Sequence, residues 1–68
     1  MKRLVTAWRV ADVLSFLDEL ELGHVKDAFS DNGVDGRFLV QLSEDDLTKE
    51  LGLSKLQARK IKSRLADA

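Results

Sequence analysis

An all-α fold is predicted by three features of this 68-residue chain. Apolar residues recur at i, i+3 and i+4 in successive short segments. The segments are separated by glycine-bearing turns and by serine or acidic cap signals, and the flanks of the Asn-Gly and Asp-Gly pairs lack the alternation a β-hairpin needs. A chain of this size buries only about 60% of its unfolded surface, which leaves room for one small core.

Met1 to Val5 reads as a loosely ordered basic lead-in, and the domain proper is expected over residues 8–66, behind a lead-in of residues 1–7. The first helix begins between Thr6 and Val10. Thr6 could cap a start at Ala7, while Asp12 would sit in the first turn of a later start. Val10, Val13, Phe16, Leu17 and Leu20 then recur at helical spacing. Gly23 interrupts the pattern; Val25, Ala28 and Phe29 resume it in a second helix that stops near Asn32-Gly33.

Val34 reads as a single buried residue, followed by a short third helix from Asp35-Gly36 with Phe38, Leu39 and Leu42 as its apolar residues. Ser43 with three acids behind it, Glu44, Asp45 and Asp46, is a fourth helix start, since anions favour the positive end of the helix dipole. Leu47 and Leu51 continue that helix to Gly52, expected at C′, with Leu53 packing back. Ser54 and Gln57 form a capping box for the last and longest helix, whose core side is Ala58, Ile61 and Leu65. Trp8, Phe16 and Phe29 are expected as core aromatics.

Leu56 does not join that side. At about 100° per residue it points roughly opposite to Leu65, and its neighbour Lys55 is a cation at the positive end of the helix dipole. The placement is electrostatically unfavourable, which asks for a function. Charge is strongly segregated: residues 1–9 carry +3, residues 10–53 carry eleven acids against three bases, and residues 54–68 carry five bases against Asp67. The net charge of −1 therefore conceals a dipolar molecule.

Several function classes drop out. The chain has no cysteine and a single histidine, His24, read as a surface residue; no nucleophile and base stand at useful spacing, so no catalytic residue is assigned and no enzyme is expected. The acids lack a zinc or EF-hand pattern and no nucleotide-binding glycine loop is present, so no metal or cofactor is expected. The absence of cysteine fits a reducing compartment, cytoplasmic or nuclear, and no apolar run is long enough to enter a membrane as a span.

Taken in order, Trp8, Val13-Leu14-Ser15-Phe16-Leu17, Leu20, Leu22, Phe29, Asn32-Gly33-Val34-Asp35-Gly36, Leu39, Leu42, Glu44-Asp45-Asp46-Leu47, Leu51-Gly52-Leu53 and the basic last helix resemble a sterile alpha motif (SAM) domain over about residues 8 to 65. The resemblance implies a compact five-helix bundle with a longer C-terminal helix, used for protein association. It also implies head-to-tail self-association, giving oligomers or helical polymers for scaffolding, with Lys55, Leu56, Arg59 and Lys60 on an end-helix surface. The matching mid-loop surface would be Asp31, Asp35, Phe38, Glu44, Asp45 and Asp46. The expected partner is a second copy or another SAM domain.

Two other readings stand beside it. One is a heterotypic adaptor that uses a single surface; the other is an RNA-hairpin binder using the basic helix. The family often has Gly-His where this chain has Gln57-Ala58, and the missing glycine removes a place of close backbone approach. Together with the acidic middle of the chain, that argues against RNA. An aromatic is common at Val25, and a Ser or Thr cap at Arg9, where a shifted first-helix start is the expected consequence.

Overall fold

The computed structural model describes residues 4–67, and within them the chain is all-helical. Five α-helices follow in order: α1 Val10–Glu19, α2 Lys26–Asp31, α3 Gly36–Gln41, α4 Glu44–Lys49 and α5 Lys55–Asp67. Two 3-10 turns, Val5–Ala7 and Gly23–Val25, precede α1 and α2. The expectation of loose order falls, for Met1–Arg3, outside the described residues; Val5 itself starts the first 3-10 turn.

Of the two starts open for the first helix, the later one occurs. Arg9 is the N-cap, and because its side chain cannot accept a hydrogen bond, Asp12 closes the helix end alone by accepting from the Arg9 backbone N–H at 2.9 Å. Helices α2, α3 and α4 have six residues each, too few to persist in water on their own. Local caps define their ends. Asp35 Oδ1 accepts from the Phe38 N–H at 2.9 Å, and Ser43 and Asp46 exchange side-chain to backbone bonds of 3.1 Å in both directions.

The same terminating motif closes α1 and α2. In α2, Gly33 (φ 61°) lets Gly33 N–H reach Ser30 O and Val34 N–H reach Phe29 O, both at 3.0 Å. In α1 the left-handed position is taken by Glu21 (φ 62°), with Glu21 N–H on Asp18 O and Leu22 N–H on Leu17 O. Helix α4 ends at Lys49, slightly ahead of the position expected from Gly52; Gly52 (φ 77°) still turns the chain, and Leu53 N–H returns to Leu47 O at 3.1 Å.

The core is a single cluster in which Val13, Leu17, Phe29, Val34, Leu39, Leu47 and Ile61 are almost wholly buried. Phe16, Leu20, Leu42 and Leu51 are buried with them, as are Leu22, Val25, Leu53 and Ala58. Trp8 and Leu65 pack half-buried against the cluster, and the Trp8 and Phe16 rings lie 5.1 Å apart at a tilt. The first 3-10 turn crosses the start of α3, where Gly36 N–H donates to Trp8 O at 3.0 Å. A Cβ at Gly36 would overlap the Val5 carbonyl oxygen and lie 2.9 Å from Trp8 Cβ, so this crossing requires glycine.

Candidate functional site

Two surfaces carry the residues singled out by charge and pattern. The first is the start of α5. Ser54 Oγ accepts from the Gln57 N–H at 3.1 Å while Gln57 Oε1 accepts from the Ser54 N–H at 3.0 Å, a complete capping box. With that end closed and Ala58 and Ile61 fully buried, the orientation of the first turn is set. Leu56 is 73% exposed, flanked by exposed Lys55 and, one turn on, exposed Arg59. An apolar side chain between two cations is thus held outward by a rigid helix end.

Lys60 behaves differently from its neighbours. Its Nζ donates to the carbonyl oxygen of Leu20 at 3.0 Å, and so caps the C-terminal end of α1. Lys62 does the same for α3, donating to Leu42 O at 2.7 Å. Two of the five bases of α5 therefore neutralise helix dipoles inside the molecule. The sequence pattern groups Lys60 with the outward cations and gives no sign of Lys62 as a cap, because no short-range spacing links either lysine to Leu20 or Leu42.

The second surface is a groove of about 310 Å³ between α2, α3 and α4. Phe38, Leu42 and Leu51 supply apolar walls, while Asn32, Asp46 and Glu50 supply polar ones. Phe38 is 42% exposed although it is a large aromatic, because α3 turns Leu39 inward and leaves its neighbour at the groove. Of the acids expected on this side, Asp46 lines the groove; Asp35 caps α3 through Phe38 N–H. Asp31, Glu44 and Asp45 are exposed on the flanking helices and do not line it. Glu50, not singled out by pattern, does; it follows Lys49 at the C-cap of α4, where an acid has no helix-stabilising reason to be.

A groove with apolar walls and carboxylates at its edge is complementary to an exposed leucine flanked by cations. Both halves occur on one chain, built from different residues. Among the described residues, no group of three or more His, Asp or Glu side chains is placed to hold a metal ion, and no helix is long and apolar enough to cross a membrane.

The family model of the SAM domain (sterile alpha motif) matches residues 5–66. The chain belongs to the sterile alpha motif family. Among solved structures, the SAM domain of Polyhomeotic superposes with a TM-score of 0.90 at 28% identity, covering 98% of this chain and 97% of that one. The heterodimer of the Scm and Sfmbt SAM domains matches with a TM-score of 0.77 at 36% identity over 93% of this chain and 90% of that one. The human SH3 and multiple ankyrin repeat domains protein 2 is 40% identical over 55 residues, which is 81% of this chain and 3% of that protein. The SAM domain here thus corresponds to a small part of that much longer relative.

Proposed function

We propose that this SAM domain is a non-enzymatic protein-interaction module that self-associates head to tail, the start of α5 of one molecule docking in the acid-edged groove of the next. The observation that carries the reading is Leu56, 73% exposed between Lys55 and Arg59 on a capped helix end, in a chain that also has an apolar groove edged by Asp46 and Glu50. Leu56 is the apolar anchor; Lys55 and Arg59 meet the carboxylates of the groove and of the nearby Glu44 and Asp45. Lys60 contributes long-range charge while its amine stays on Leu20 O.

The two surfaces share no residue, so each docked pair leaves one of each free, and the contact propagates into a ring or an open filament. The interacting module is residues 8–66, with residues 1–7 as its basic lead-in, and it works inside the cell as a scaffold. A heterotypic pairing with another SAM domain, using one of the two surfaces, is the second reading. Similarity to the Scm–Sfmbt heterodimer favours it.

Sedimentation velocity across concentration tests the proposal with Lys55→Glu and Asp45→Lys. Head-to-tail docking predicts growing species for the native chain, loss of growth in each variant, and a capped dimer when the two variants are mixed through their intact surfaces. A monomer independent of concentration at low salt would overturn self-association and leave the heterotypic pairing.

A further inference from the structure

We infer that Asn32 is a covalent modification site: with Gly33 behind it, it loses its side-chain amide to water, and the folded domain confines the reaction to molecules whose α2 end has opened. Asn32 is the only asparagine in the chain; it is exposed and lines the groove with Asp46 and Glu50. The inference stands whether or not that groove receives a second copy.

The chemistry belongs to the dipeptide. The Gly33 backbone nitrogen, after giving its proton to base, attacks Cγ of Asn32. The new N–C bond closes a five-membered succinimide, and the side-chain nitrogen leaves as ammonia. Water then adds to one of the two ring carbonyls. Aspartate forms when the ring nitrogen leaves Cγ, and isoaspartate when it leaves the backbone carbonyl carbon. No oxidant or reductant takes part. Asparagine is a thermolabile residue, and glycine hinders the attack least because it has no Cβ and turns freely.

Three features of the α2 ending oppose ring closure. The ring needs the Gly33 nitrogen eclipsed with Asn32 Cβ, whereas a ψ of 2° eclipses it with the backbone nitrogen of Asn32 itself. The Gly33 N–H donates to Ser30 O at 3.0 Å, which holds the proton that must leave. Asn32 Nδ2 donates to Ala28 O at 2.7 Å, which keeps the side chain turned back along α2. Releasing all three requires the last turn of α2 to open, and helix ends open at a lower free energy than the whole domain.

Either product is a poorer ending for α2 than asparagine. Aspartate has no N–H for Ala28 O and sets a negative charge at the negative end of the helix. Isoaspartate adds a methylene to the backbone inside the turn that Gly33 N–H to Ser30 O and Val34 N–H to Phe29 O hold closed. Both put a new carboxylate into the groove wall.

The test follows the mass of one peptide. The 68-residue chain is kept in mildly alkaline buffer with and without guanidinium chloride, and the tryptic peptide of residues 27–37 is weighed over time. The gain of an amide turned acid should accumulate at least about tenfold more slowly in the folded chain, because the opened form is a minority state. Asn32→Ser should show no gain. Gly33→Ala puts a side chain at φ 61° and loosens the turn, so the slowing relative to its own unfolded sample should shrink; circular dichroism confirms that this variant folds. Equal rates for the native chain in the two conditions, no gain in either, or an unchanged ratio in Gly33→Ala overturns the inference. None of these outcomes bears on head-to-tail docking, which the sedimentation experiment decides separately.

Discussion

Glu21 and Gly33 occupy equivalent positions in the same helix-ending motif, and only one of them suits it. A left-handed φ crowds Cβ against the following carbonyl in any L-residue, and glycine escapes that cost. Glu21→Gly should raise stability by about 1 kcal/mol, and removing an acid from the negative end of α1 works in the same direction. Thermal melting of the domain would show it as a rise of several degrees. Leu56 is the converse case: it is 73% exposed and so contributes little to folding. Leu56→Ala should leave the melting temperature nearly unchanged while weakening self-association at least about tenfold, the loss expected for an anchor residue. If the variant associates like the native chain, the anchor lies elsewhere.

At the scale of elements, the short helices depend on partners distant in sequence. Lys62 holds the end of α3 through a 2.7 Å bond to Leu42 O, and its apolar stem is half-buried. Lys62→Met keeps a stem of similar length and removes the charge-assisted bond, so a loss of about 1–2 kcal/mol is expected by urea denaturation. The crossing of the first 3-10 turn over α3 is equally exposed to a single change. Gly36→Ala places a methyl group on the Val5 carbonyl oxygen, and overpacking of this kind costs about 1–3 kcal/mol. The half-buried Trp8 sits at that crossing, so its fluorescence should report the displacement.

For the molecule as a whole, the proposed docking on a second copy turns on the separation of charge. Eleven acids lie in residues 10–53 and five bases in residues 54–68, and the surfaces they form are exposed to salt. Screening over about 8–10 Å at physiological ionic strength should therefore weaken association progressively as salt is raised. The apolar contact of Leu56 should leave a residual that salt does not remove. Sedimentation across a salt series would read both components, and an association indifferent to salt would contradict the role given to Lys55 and Arg59.

The caps, the turns and the inward-facing periodicity were legible in the chain because they are local: Ser43 with Asp46, Ser54 with Gln57, and the glycine at 33 act within a few residues of themselves. The all-α class, the number of helices and the outward direction of Leu56 follow from the same local signals. Residue type and spacing could not show which bases stay free for a partner. Lys60 and Lys62 look like Lys55 and Arg59 until the fold brings Leu20 and Leu42 within reach of their amines. The groove likewise exists only once α2, α3 and α4 are packed, since Glu50 and Phe38 have no local relation. Long flexible side chains and surface concavities are set by contacts between segments far apart along the chain, and so they emerge only when those segments pack together.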